Sequence, residues 1–127
     1  MKNLLLLFAS FFLCIQLSAQ TFEVPANYKL KSKKDYAKYE QDIVQAVDWL
    51  INTPLSSDKK KREEVNAFLL QWLTGSPSVS SGLDPNIASF TECGDCLMIF
   101  MGGWAKYVIE TKDNSDKVEA NLAGLES

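Results

Sequence analysis

No charged residue interrupts residues 96–105, and this feature constrains the fold of the chain more than any other. A helix that is apolar on every side must lie inside the protein, where other elements cover it. The pattern predicts a buried central helix over residues 93–111. Gly102 and Gly103 lie in its middle, where each glycine costs about 1 kcal/mol relative to alanine, so we expect a close helix crossing or a bend there.

Two helices are predicted before this segment. Ser32 and Asp35 have the spacing of a capping box, which indicates a helix start, and apolar residues then recur at intervals of three and four up to the Asn-Thr-Pro sequence at 52–54. The Ser-Asp pair at 57–58 predicts a second cap, for a helix that ends near Gly75. The short connection between them favours an antiparallel hairpin. Their apolar stripes contain Tyr36, Tyr39, Ile43, Val47 and Leu50, and Val65, Phe68, Leu69, Trp72 and Leu73.

Two shorter helices complete the predicted fold. Asp84 and Pro85 favour a short helix through about Phe90, since proline is tolerated at the first helical position. Ser115 is the predicted cap of a last helix. The expected packed face of that helix contains Val118, Leu122 and Leu125. The sequence therefore predicts an all-α fold, a small irregular bundle of four to five helices around the buried helix at about 93–111.

The N-terminal residues have the pattern of a signal peptide. Lys2 is followed by an apolar run over residues 4–17 and by the small residue Ala19. This run of about 14 residues is shorter than the roughly 20 that a helix needs to cross a bilayer. We therefore expect a signal peptide at 1–19, export to the periplasm or outside the cell, and no stable membrane span after cleavage.

The rest of the chain is predicted to be one domain. A length of 127 residues leaves no room for a second independent core. Pro25 and the lack of a clear period predict an extended lead-in over residues 20–32, and residues 33–127 form the predicted helical domain. The composition is 46% hydrophobic and 23% charged, which is ordinary for a globular protein and excludes disordered and collagen-like classes.

The residue types that are missing exclude several classes of function. The chain has no histidine, which excludes Ser-His-Asp and Cys-His catalysis and His-liganded zinc or haem. Only one of its 13 basic residues is an arginine, Arg62, and the net charge is −3, so no nucleic-acid partner is expected. The paired carboxylates Glu63-Glu64 and Asp113/Asp116 lie in polar segments, where no burial would raise a pKa for acid–base catalysis. We expect no enzyme, no cofactor and no metal site.

Cys93 and Cys96 form a C-x-x-C sequence at the start of the predicted central helix. Positions i and i+3 share one helical face, and a helix N-terminus stabilises a thiolate, so this spacing suits thiol-disulfide exchange with Cys93 as the attacking thiol and Cys96 as its resolving partner. A short structural disulfide that fixes the first turn explains the same spacing, and both interpretations stay open. The spacing resembles the thioredoxin superfamily over these four residues only, since no strands surround it and no proline follows Pro85.

Charge is distributed unevenly along the chain. Residues 20–82 contain nine basic and eight acidic residues, whereas residues 83–127 contain three basic and eight acidic ones. The basic residues of the first part are Lys29, Lys31, Lys33, Lys34, Lys38 and residues 59–62. They predict either a face that attracts an anionic ligand or a solvated surface with Lys59/Glu63 and Lys60/Glu64 ion pairs.

Six aromatic residues are candidates for a ligand groove or for the core, and both interpretations stay open. They are Trp49, Trp72, Trp104, Tyr36, Tyr39 and Tyr107. The function that fits best is an exported, non-enzymatic module that binds an unidentified protein or an apolar or anionic ligand, with the cysteine disulfide as scaffold. Thiol-disulfide exchange by Cys93 and Cys96 is the alternative, and a holdase-like chaperone is a third hypothesis.

Overall fold

The computed structural model describes residues 21–79 and 92–127, and all regular structure in these two ranges is helical. The helices are α1 (Lys33–Lys38), α2 (Glu40–Asn52), α3 (Lys59–Gly75), α4 (Gly94–Thr111) and α5 (Lys117–Leu125). Helix α4 contacts α2, α3 and α5, while α2 also contacts α1 and α3. The predicted all-α bundle around a central helix is therefore confirmed.

A pair of glycines lets other helices approach the middle of α4. A Cβ atom on Gly102 would lie 2.9 Å from Cγ2 of Val47 in α2, and one on Gly103 would lie 3.0 Å from the carbonyl oxygen of Ala123 in α5. Both distances are shorter than ordinary van der Waals contact, so no larger residue fits at either position without a shift. The sequence predicts either a close helix crossing or a bend at this glycine pair, and the structure shows the close crossing.

The first predicted helix is interrupted at Tyr39, which separates α1 from α2. The capping box that starts α1 is present, because Ser32 accepts a hydrogen bond from the Asp35 amide while the Asp35 carboxylate accepts one from the Ser32 amide. Tyr39 has φ −97° and ψ 3°, outside the helical region, and its ring packs edge-on against Phe68 at 6.2 Å between centroids. The prediction of one continuous helix up to residue 52 is wrong, because the backbone at Tyr39 leaves the helical conformation and its amide donates to Tyr36 and Ala37 instead of continuing the helical pattern.

Helices α2 and α3 form the predicted antiparallel hairpin. Near its open end, Nε1 of Trp72 donates a hydrogen bond to the carbonyl oxygen of Tyr36 at 3.0 Å. Near its closed end, Nη2 of Arg62 donates to the carbonyl oxygens of Thr53 and Pro54 at 2.6 and 3.2 Å. The end of α3 thus lies beside α1, and the start of α3 lies beside the end of α2.

Residues 21–32, which precede α1, contain no helix and cover one side of this hairpin. Phe22 is buried and stacks on Phe68 at 6.4 Å between ring centroids, and the ring of Tyr28 meets Phe68 edge-on at 4.8 Å. Lys61 of α3 holds the same segment through an ion pair with Glu23 at 2.7 Å. The N-terminal segment therefore contributes aromatic rings to the core.

Helix α5 packs with the face opposite to the predicted one. Its buried residues are Ala120 and Gly124. Three large apolar residues are exposed instead, namely Val118 (75%), Leu122 (45%) and Leu125 (54%). The prediction of the packed face is wrong, because α5 approaches α4 closely at two points, Ala123 beside Gly103 and Gly124 beside Phe100, where large side chains do not fit.

The cap of α5 also differs from the prediction. The N-cap is Asp116, whose carboxylate accepts a hydrogen bond from the Glu119 amide at 3.1 Å. Ser115 instead donates both its amide and its hydroxyl to Asp113 Oδ1, at 2.7 and 2.6 Å. Asp116 directly precedes α5, and its carboxylate caps the helix in place of the Ser115 hydroxyl.

Two further predictions lie outside the described residues. These are the signal peptide at 1–19 and the short helix through about Phe90. Within the described ranges, no helix combines the length and the apolar character required to span a bilayer.

Candidate functional site

The cysteine turn at the start of α4 is the part of the chain with the most distinctive chemistry. The Sγ atoms of Cys93 and Cys96 lie 2.03 Å apart, the distance of a disulfide bond. Cys93 is the N-cap of α4, and its Sγ accepts a hydrogen bond from the Cys96 amide at 3.2 Å. Both residues are half-buried. The sulfur atoms therefore brace the first turn of the central helix and remain partly accessible.

A cleft lies on each side of this turn. On one side, the α4–α5 cleft has a volume of about 240 Å³ and is almost entirely apolar. Its lining residues are Cys96, Ile99, Phe100, Gly124, Leu125 and Ser127. Because Leu125 belongs both to this cleft and to the exposed residues of α5, the cleft and the exposed apolar face are continuous.

On the other side, the α3–α4 cleft is larger and has a polar end. Its volume is about 580 Å³. The lining includes Asn66, Leu70, Asp95, Leu97, Met98 and Met101. Nδ2 of Asn66 donates a hydrogen bond to Oδ1 of Asp95 at 2.8 Å, which ties α3 to the cysteine turn.

The predicted aromatic candidates belong to the core. Trp72, Trp104, Trp49 and Tyr39 are buried, and the rings of Tyr36 and Tyr107 are partly buried against the same cluster. None of these six residues lines either of the two clefts at the cysteine turn. Of the two interpretations, the structure supports core packing.

Two of the basic residues at 59–62 have partners within the fold. Arg62 is only 2% exposed, and its guanidinium carbon lies 5.7 Å from the centre of the Trp49 ring. Lys61 is engaged by Glu23. The predicted Lys59/Glu63 and Lys60/Glu64 pairs are absent from the ion pairs of residues 21–79. Exposed pairs of this kind contribute only about 0.2–0.5 kcal/mol, which is too little to hold long side chains together.

The candidate acid–base residues Glu63, Glu64, Asp113 and Asp116 are all exposed. Hydrogen bonds from the Ser115 hydroxyl and amide lower the pKa of Asp113. The pKa of Tyr107 is raised, first by burial and then by the carboxylates of Asp116, Glu119 and Asp113. In the described residues, no group of three or more Cys, Asp or Glu side chains is arranged to hold a metal ion.

Two parts of this site were missed at the level of sequence. No sequence pattern identifies Asn66 as a site residue, because an isolated asparagine in a helix has many possible neighbours. The exposed face of α5 was identified as an apolar stripe but assigned to the core, and the small residues at 120, 123 and 124 were the signal for the opposite orientation. No protein family model, no curated protein and no solved structure matches this chain.

Proposed function

We propose that this chain is an exported, non-enzymatic binding module that holds a helical segment of a partner protein on α5. The observation that carries the proposal is the outward orientation of Val118, Leu122 and Leu125, which we call the α5 face. Their spacing of four and three residues places them on one side of a helix, in the pattern of helix-to-helix seams. Contiguous apolar surface of this kind marks interaction sites in soluble proteins.

The α4–α5 cleft favours a protein partner over a small molecule. Its volume of about 240 Å³ is below the roughly 300–1,000 Å³ of small-molecule sites. A cleft of this size, open at the edge of an apolar face, suits one or two apolar side chains of a larger partner. Leu125 lies where the cleft meets the α5 face, so a helix on that face would insert an anchor residue beside it.

The charge around the α5 face indicates a basic partner. Glu119 and Glu126 lie beside the apolar residues of α5 and are exposed, and they outnumber the one exposed lysine of this helix, Lys117. The carboxylates that raise the pKa of Tyr107 lie at the start of the same helix. A surface of this sign attracts lysine-rich segments and repels acidic ones.

The cysteine disulfide acts as a scaffold in this proposal. Cys96 lines the α4–α5 cleft, and the bond to Cys93 fixes the turn that forms its upper wall. A wall that is held before binding reduces the entropy lost when the partner docks. We therefore expect the oxidised protein to bind more tightly than the reduced protein.

A peptide titration tests the proposal. The full chain is expressed, purified after export and its N-terminus determined by mass spectrometry, and a fluorescent amphipathic peptide of leucine and lysine is added while anisotropy is recorded. We expect the double variant Leu122→Ser/Leu125→Ser to weaken binding about tenfold or more, because two leucines each lose on the order of 1 kcal/mol of burial. Leu55→Ser is the matched control, since Leu55 is 47% exposed in the connection between α2 and α3.

Equal affinity of the double variant and the unaltered protein for the peptide would refute the proposed site. A leucine and glutamate peptide of the same length measures the contribution of charge. If that acidic peptide binds as tightly as the basic one, the proposed charge preference is wrong even though the apolar face binds.

Thiol-disulfide exchange is a second candidate function, favoured by the hydrogen bond from the Cys96 amide to the Cys93 sulfur. In the reduced pair this amide would stabilise the Cys93 thiolate. The thiolate would attack a disulfide of a partner protein, which releases one partner thiol and forms a mixed disulfide. Deprotonated Cys96 would then attack Cys93 Sγ and release the second partner thiol, so the partner disulfide is reduced and the pair oxidised.

The reduction potential of the Cys93/Cys96 pair distinguishes the two candidates. A value below about −300 mV is typical of a structural disulfide, whereas a value between about −100 and −230 mV is in the range of exchange proteins. Cys96→Ser adds a direct readout, because exchange would leave partner proteins trapped on Cys93 as mixed disulfides. We expect a value below −300 mV and no trapped partners.

A further inference from the structure

The α3–α4 cleft has an apolar floor and a polar end. Leu70, Met98 and Met101 contribute to the floor, and Leu70 is 48% exposed although it is a large apolar residue. At the other end, Asn66 from α3 meets Asp95 from the first turn of α4. This cleft shares no lining residue with the α4–α5 cleft, so a ligand there is independent of the function proposed above.

The polar end has hydrogen-bonding capacity that its neighbours leave unused. Asn66 Nδ2 donates to Asp95 Oδ1, which occupies one oxygen of the carboxylate. Asn66 Oδ1 is shielded from solvent and accepts no hydrogen bond from the described residues. Asp95 forms no ion pair with a lysine or arginine in residues 21–79 or 92–127. The hydrogen bond from Asn66 leaves the second carboxylate oxygen of Asp95 for a donor from outside the chain, whereas the shielded Asn66 oxygen is out of a ligand's reach.

The chemistry of the cleft selects a class of ligand. An end that offers a carboxylate oxygen favours a positively charged N–H donor over carboxylates and phosphates. A floor of leucine and flexible methionine side chains accepts hydrocarbon of varied shape.

The size of the cleft indicates a small molecule. Its volume of about 580 Å³ lies within the roughly 300–1,000 Å³ that small-molecule sites occupy. We propose that the α3–α4 cleft binds a small amphiphilic amine, with the ammonium group at Asp95 and the hydrocarbon on Met98 and Met101. The disulfide on either side of Gly94 and Asp95 restrains the turn that presents the carboxylate.

A series of head groups on the unaltered protein is the first test. The full chain is purified after export, with methyl-labelled methionine, and titrated with n-octylammonium, n-octanol and n-octanoate. We expect n-octylammonium to shift the Met98 and Met101 methyl signals and to bind about tenfold more tightly than n-octanol, with n-octanoate weakest. Equal affinities for the amine and the alcohol, or no shift of either methyl signal, would overturn the proposal.

Asp95→Asn is the second test, because it removes the charge and keeps both the shape and the acceptor for Asn66. We expect it to lower the affinity for n-octylammonium about tenfold and to leave n-octanol binding unchanged. Glu110→Gln is the matched control, an exposed carboxylate in the last turns of the same helix. If Asp95→Asn retains octanol binding and binds the ammonium as before, the proposal is wrong. If the variant loses octanol binding as well, the cleft is disturbed and the head-group series on the unaltered protein decides.

Discussion

Replacement of Gly124 by alanine measures how closely α5 approaches the central helix. A Cβ atom at this position would lie 2.6 Å from the carbonyl oxygen of Phe100 and 2.8 Å from Cδ2 of its ring. The carbonyl belongs to the backbone of α4 and cannot rotate away, so α5 itself has to move. Gly94 offers a matched control in the first turn of α4, because nothing lies within 4 Å of a Cβ there.

Two opposing effects determine the result for Gly124→Ala. Helix propensity alone favours alanine by about 1 kcal/mol. Overpacking of an ordered contact costs typically about 1–3 kcal/mol, so the middle of that range exceeds the gain. We expect a net loss of about 1 kcal/mol in the free energy of unfolding, which corresponds to about 4–8 °C in Tm for a domain of this size. Gly94→Ala should show no loss.

Urea unfolding followed by tryptophan fluorescence gives the free energy, and amide hydrogen exchange reports on α5 separately. We expect the amides of α5 to exchange faster in Gly124→Ala while those of α2 and α3 keep their protection. A Gly124→Ala protein that is as stable as the unaltered one, with α5 still protected, would show that the close approach of these helices does not constrain the sequence.

Two further predictions concern α1 and the hairpin of α2 and α3. Hydrogen bonds from the amides of Lys31 and Ser32 and from the Ser32 hydroxyl lower the pKa of Asp35 from its ordinary value of 3.8. The ionised carboxylate therefore stabilises α1 above pH 3.8, and this stabilisation is lost as the pH falls below that value. Between pH 5 and pH 2 the Ser32 amide should therefore lose protection against hydrogen exchange in the unaltered protein, and Asp35→Asn should abolish this pH-dependent loss. Arg62→Met should lower the free energy of unfolding by about 1.5–3 kcal/mol in urea, because the carbonyl of Thr53 loses a charged donor; an unchanged value would mean that water replaces the guanidinium without loss.

Much of the fold was predictable because local signals agreed with burial. The uncharged run at 96–105 indicated a buried helix, and no alternative arrangement could hide so much apolar surface. The capping box at Ser32 specified a helix start by hydrogen bonds that are complete within four residues. The C-x-x-C spacing likewise indicated which sulfur atoms approach each other, because the two positions share one turn.

The parts that were not predicted depend on contacts between elements. Periodicity assigns the largest side chains to the core. In α5 the narrow space beside α4 determines which residues are buried, and these are Ala120 and Gly124. The burial of Arg62 also depends on another part of the chain. Its guanidinium donates to the carbonyl oxygens of Thr53 and Pro54, although a charged side chain is expected at the surface. For Arg62, no pattern within one segment contains this information.

The glycine pair in α4 also connects the two clefts. A Cβ atom on Gly102 would meet side chains of both Val47 in α2 and Leu69 in α3, and one on Gly103 would meet α5. The residues of α4 that line the clefts, within 94–101, all precede this pair, and the opposite walls belong to α3 and to α5. A larger residue at Gly102 or Gly103 would therefore displace a wall of a cleft without touching any residue that lines it.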